Sequence, residues 1–101
     1  MARSSMKESG FQDRLKKEIE TIFPGSMVLK LDPTNKQGIP DLLILYKDHW
    51  AALECKKNSK ASFQPNQQFY ISKMNDMSYS SVIYPENKTE VLHELQQTWC
   101  T

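Results

Sequence analysis

Long apolar stretches are missing from this chain of 101 residues. No run approaches the roughly 20 apolar residues of a membrane-spanning helix, and no segment has the apolar centre of a signal peptide. Cysteine is scarce: Cys55 and Cys100 stand far apart, one of them inside an apolar run. That placement suits free thiols in a reducing compartment better than a disulfide framework. The two histidines, His49 and His93, do not combine with the cysteines in zinc-ligand spacing. A dominant charge is lacking too, with 13 basic and 12 acidic side chains and a formal net charge of +1, so any attraction to a polyanion has to be local. From these absences we expect an intracellular, cytoplasmic, soluble protein without membrane contact. With 39% hydrophobic and 25% charged residues, the composition is that of an ordinary globular domain. A chain this short forms one domain over residues 1–101 with a modest core, which pairing into a dimer would help to stabilise. Residues 1–7 are polar, carry Arg3 and Lys7, and read as a flexible tail.

What is present centres on Gly38-Ile39-Pro40-Asp41, the apolar run Leu42-Leu43-Ile44-Leu45-Tyr46, a reversal at Lys47-Asp48-His49, and the run Trp50-Ala51-Ala52-Leu53-Glu54-Cys55-Lys56. Two short apolar runs joined by a few turn residues predict a β-hairpin. Side chains alternate across a strand, so Ala52, Glu54 and Lys56 share one face and Ala51, Leu53 and Cys55 the other. A carboxylate in so apolar a strand needs a partner or a cation. Asp41 stands at the mouth of the neighbouring strand, within reach of Glu54. Two hard oxygen ligands beside an ammonium suit a Mg²⁺ ion, with Mn²⁺ as a substitute, and Lys56 can then orient the attacking water. The same residues also admit a structural reading, in which Asp41 ends a loop and Glu54 and Lys56 form an ordinary same-face ion pair.

The remaining elements follow from periodicity. A first helix, starting near Ser5 or Ser9 with a capping box at either, buries Phe11, Leu15, Ile19, Ile22 and Phe23. Glu18 lies at the edge of that stripe, where a lone acid calls for a reason; either it has a role or its methylenes pack while its head reaches water. Pro24-Gly25 ends the helix, residues 26–31 read as a strand, and the polar loop 32–38 carries Lys36 toward the hairpin. Between Lys56 and Lys73 there are four lysines, Lys56, Lys57, Lys60 and Lys73, and no acid. This single-sign segment beside the Glu-x-Lys run could draw in a polyanion, or be a solvated face. A second helix, beginning near residues 62–64 and running to about Met77, turns Gln67, Tyr70, Ile71, Met74 and Met77 inward; Gln68 competes with Gln67 if the phase differs by one. A strand over residues 78–84 and a last helix, capped by Asn87 with Glu90 and burying Val91, Leu92, Leu95 and Trp99, complete the chain. The order αβββαβα implies an α/β fold in which helices flank a central mixed sheet.

Pro40-Asp41 followed by Glu54-Cys55-Lys56 on the next strand resembles the PD-(D/E)XK nuclease superfamily, whose restriction-endonuclease-like core has the same element order. The run Pro65-Asn66-Gln67-Gln68-Phe69-Tyr70 is similar to the small stand-alone VRR-NUC branch. The resemblance implies a metal-dependent DNA endonuclease in which Asp41, Glu54 and the Cys55 backbone carbonyl hold one or two Mg²⁺ ions. Glu18 is the first-helix glutamate that would reach the metal, Lys56 serves the attacking water, and Gln67 assists by holding a water or a phosphate oxygen. Lys36, Lys57, Lys60, Tyr70 and Lys73 are the candidate DNA contacts. It further implies a homodimer acting on branched DNA such as four-way junctions. A sequence-specific homing or restriction-type endonuclease and a non-catalytic nucleic-acid-binding module on the same fold remain alternatives.

Overall fold

The computed structural model describes residues 2–100, and side chains from Gly10 onward. Arg3 and Lys7, as side chains, lie outside the described residues. The elements run α1 (Ala2–Ile22), β1 (Met27–Lys30), β2 (Leu42–Tyr46), β3 (His49–Cys55), α2 (Gln67–Met77), β4 (Tyr79–Ile83) and α3 (Lys88–Trp99), the αβββαβα order expected. α1 begins at Ala2, so the expected tail of residues 1–7 lies largely inside the helix and neither Ser5 nor Ser9 starts it. Among the described residues no helix is long and apolar enough to cross a membrane.

The four strands form one mixed sheet in the order β1-β2-β3-β4. β2 runs antiparallel to both β1 and β3, and β4 joins β3 in parallel through the α2 crossover. The hairpin is tighter than the sequence suggested. Tyr46 pairs with His49, so the turn is Lys47-Asp48 alone and His49 belongs to β3. Lys47 takes a φ of 56°, the sign that short hairpin turns need to match strand twist.

Register assigns the two faces of the sheet. Val28, Leu42, Ile44, Ala51, Leu53 and Ile83 point to one side and are buried there against Leu15, Ile19 and Phe23 of α1 and Val91, Leu92, Leu95 and Trp99 of α3. At one end of this core Trp99 lies in ring contact with Phe23, Tyr46 and His49. The other face carries Met27, Leu29, Leu43, Leu45, Trp50, Ala52, Glu54, Ser80 and Val82, and α2 covers only its β3–β4 half.

Two helix starts differ from expectation. α2 begins at Gln67, later than the expected start at residues 62–64, because Asn66 adopts a left-handed φ of 72°, outside the helical region. Asn87 precedes α3 without capping it through its side chain. Its Oδ1 accepts from the Tyr84 N–H at 2.8 Å and its Nδ2 donates to the Val82 carbonyl at 3.1 Å, so it ties the end of β4 instead.

Candidate active site

Three chain segments meet at the C-terminal end of β3. The first is Gly38-Ile39-Pro40-Asp41. Gly38 has a φ of +95°, and a Cβ there would lie 2.6 Å from Asn66 Cβ and 2.8 Å from the Pro65 carbonyl oxygen. Only glycine allows the loop to pass this close to the start of α2. Pro40 is fully buried and fixes the approach of Asp41 to β2. The second segment is Glu54-Cys55-Lys56, and the third is the start of α2 with Gln67.

Asp41 is tied to β3 directly: the Cys55 backbone N–H donates to Asp41 Oδ2 at 2.9 Å. The N–H and C=O of one strand residue point to the same side, so the Cys55 carbonyl is turned toward Asp41 as well. Glu54 is 3% exposed and projects to the α2 side of the sheet. Its Oε2 accepts from Gln67 Nε2 at 2.8 Å, while Oε1 is buried without a hydrogen-bond partner. Burial pushes the Glu54 carboxyl up to about 7, and the negative charge of Asp41 adds to the rise; Lys56 and the Asp41 backbone amide oppose it.

Lys56 Nζ donates to Gln67 Oε1 at 2.8 Å and to the Ser62 carbonyl at 3.0 Å, with Glu54 Oε2 at 3.5 Å. Its ammonium also lies over the Phe63 ring, 5.1 Å from the centroid. Gln67 is therefore a bridge between the carboxylate and the ammonium. Its Oε1 additionally accepts from the Gln64 N–H at 2.7 Å, which fixes the orientation of the amide: two donors face the oxygen and one acceptor faces the nitrogen. This settles the helical phase in favour of Gln67. Gln68 is exposed and lines a groove on the β4 side.

Asp41, Glu54, Lys56, Gln67 and the Cys55 backbone are thus brought together, and Glu18 is not. α1 packs on the opposite face of the sheet, and Glu18 Oε1 is held by Lys88 Nζ at 2.6 Å. Among the described residues no three His, Cys, Asp or Glu side chains converge as a metal-binding group, which removes Glu18 from the expected ligand set. The edge position that singled out Glu18 serves an ion pair between α1 and the start of α3. Gln67 thus positions Glu54 and Lys56, and of its two amide N–H donors only one is engaged by the protein, the one to Glu54 Oε2. Lys36 lies near the site, its Nζ 5.9 Å from the centre of the Tyr70 ring. Lys57, Lys60 and Lys73 are all exposed. Sequence reasoning missed the backbone groups, the Cys55 N–H, the Ser62 carbonyl and the Gln64 N–H, because side-chain patterns carry no signal for them.

Two carboxyl groups and a carbonyl at the end of β3, one carboxylate oxygen being buried without a partner, are hard-oxygen donors of the kind a Mg²⁺ or Mn²⁺ ion takes. No family model matches the chain, and neither a curated protein nor a solved structure matches it significantly.

Proposed function

We propose that the protein is a Mg²⁺-dependent nuclease of the PD-(D/E)XK type with a restriction-endonuclease-like core, hydrolysing DNA phosphodiester bonds. The observation that carries this reading is Glu54: a buried carboxyl whose Oε2 is fixed by Gln67 and whose Oε1 has no hydrogen-bond partner. Leaving a buried carboxylate oxygen without a hydrogen-bond partner costs stability, so a compensating role is expected. Asp41, Glu54 and the Cys55 carbonyl would hold the divalent ion, Mg²⁺ or Mn²⁺. Bound there, the ion would supply Lewis acidity toward a phosphoryl oxygen and toward water.

The protein's own groups have distinct roles. Asp41 is oriented by the Cys55 N–H, which holds its carboxylate at the end of β3. Lys56, held by Gln67 and Ser62, presents a fixed positive charge beside the carboxylates, where it stabilises negative charge developing on phosphate and orients an incoming water. The lysines of residues 56–73 and Lys36 with Tyr70 offer contacts for a phosphate backbone. Selection by DNA shape, as in branched or four-way junction DNA, is the substrate preference this reading takes.

The test is cleavage of linear and four-way junction DNA with and without Mg²⁺ or Mn²⁺. Metal-dependent cutting that favours the junction and is lost in Asp41→Asn and Lys56→Ala, both folded, supports the reading. DNA binding with no cutting under any metal would leave a non-catalytic binding module instead.

A further inference from the structure

α2 lies loosely over β3 and β4. It has no buried residue, and Met77, expected to turn inward, is 63% exposed. The space left between α2 and β4 is a groove of about 320 Å³. Its apolar walls are Phe63, Ile71 and Val82, and Gln68, Ser72 and Asn75 add amide and hydroxyl groups. The groove adjoins the candidate site at three points. Val82 pairs in register with Glu54 and so projects to the same face of the sheet beside it. Phe63 carries the Lys56 ammonium 5.1 Å from its ring centre. Gln68 follows Gln67 on α2.

The chemistry of the walls narrows the occupant. None of the lining residues is charged, so a charged peptide side chain entering here would give up water without gaining an ion pair. A nucleotide matches the groups in their order. Its phosphate meets the ammonium of Lys56, the flat face of its base meets the Phe63 ring, which is 38% exposed, and the polar edge of the base meets neutral donors and acceptors. The volume lies at the small end of the roughly 300–1,000 Å³ range of ligand sites, which suits one base with its sugar.

Resting on the nuclease reading, we propose that this groove receives the base of a nucleotide adjoining the phosphate that Lys56 faces, so that the substrate class is DNA with an unstacked base at the cut. Inside a duplex both faces of a base are covered by its neighbours, and drawing it out costs unstacking energy that is least where the strand is already unpaired. Stacking on an aromatic side chain accepts any base, so the groove selects the opened strand rather than its sequence.

The probe is a short DNA strand without bases except for one 2-aminopurine, whose fluorescence is quenched on stacking, set in competition against the same strand with no base at all. The two carry equal charge, so their difference isolates the base from the phosphates. The measurement uses the full chain in EDTA, and no metal-dependent cutting intervenes. The wild type should quench the probe saturably and bind it about 10-fold more tightly than the base-free strand. Phe63→Ala should erase that advantage and Phe63→Tyr should keep it. Ser72→Leu, which fills the groove from an exposed helix position, should abolish the quenching while keeping the circular dichroism of the wild type. Phe69→Ala removes an exposed ring of α2 outside the groove and should change nothing. Equal binding of the two strands by the wild type, or quenching that survives in folded Phe63→Ala and Ser72→Leu, overturns the inference whatever the cleavage assay shows. Phe63-dependent quenching in a protein that cuts no DNA with Mg²⁺ or Mn²⁺ would uphold the base groove and count against the nuclease reading alone.

Discussion

Replacing Glu54 by Gln should make the metal-free protein more stable at pH 8 while destroying metal binding. Glu54 is raised from 4.5 to about 7 by burial and by Asp41. Below about pH 4.5 the carboxyl is protonated in folded and unfolded chains alike, and its environment costs nothing through ionisation. Between about 4.5 and 7 the unfolded chain releases the proton while the folded one keeps it, so stability falls as pH rises. Above 7 both are ionised and the loss is complete. At about 1.4 kcal/mol for each tenfold change in proton affinity, the full loss is about 3 kcal/mol. A glutamine has nothing to ionise. Its oxygen can still accept from Gln67 Nε2, and its amide nitrogen falls where Oε1 now lacks a partner. Urea unfolding of both proteins in EDTA from pH 4 to 9 measures the effect. The wild type should lose stability across the window from 4.5 to 7, Glu54→Gln should lack that decline, and the two should differ by about 3 kcal/mol at pH 8 in favour of the variant. Added Mg²⁺ should restore the wild type and leave the variant unchanged. Parallel pH profiles, or a variant weaker than wild type at pH 8, would refute the reasoning, since ionised Glu54 would then be a net structural asset.

Other changes separate the roles around it. Gln67→Ala removes the bridge between Glu54 and Lys56 and should cost about 1–3 kcal/mol in urea unfolding, with cutting reduced at least as far as in Lys56→Ala. Gly38→Ala forces a Cβ to within 2.6 Å of Asn66 and should both destabilise the fold and blunt activity, because the clash displaces the residue that precedes Gln67; unchanged thermal unfolding would contradict it. Glu18→Gln breaks only the pair with Lys88, whose side chain is 30% exposed, so metal titration and cutting should match wild type and stability should fall by less than about 1 kcal/mol.

The legible parts of the sequence were those governed by local periodicity. The spacing of Leu15, Ile19 and Phe23, the alternation through β3 and the apolar positions of α3 each identified buried residues, and alternation alone placed Glu54 and Lys56 on one face. Element ends were read less well where the backbone leaves its usual regions: Lys47 and Asn66 adopt positive φ, which moved the hairpin turn and the start of α2. Glu18 was misread because a helical wheel reveals the edge of a stripe but not which element passes it, and Lys88 is 70 residues away. Gln67 was found at the right position, but its bonds to Lys56 and the Gln64 N–H were not, since they depend on how the chain folds back from Ser62 to Gln64. The open sheet half was invisible until register showed that Met27, Leu45 and Trp50 stand in one row.

Titration of metal-free protein with Mn²⁺ at pH 8, followed by the paramagnetic signal of the free ion, bears most directly on the site. Saturable binding should appear in the wild type, vanish in Asp41→Asn and Glu54→Gln, persist in Glu18→Gln, and weaken as pH drops below 7 and protons compete for Glu54. Binding absent from the wild type, or undiminished in both carboxylate variants, would contradict the account.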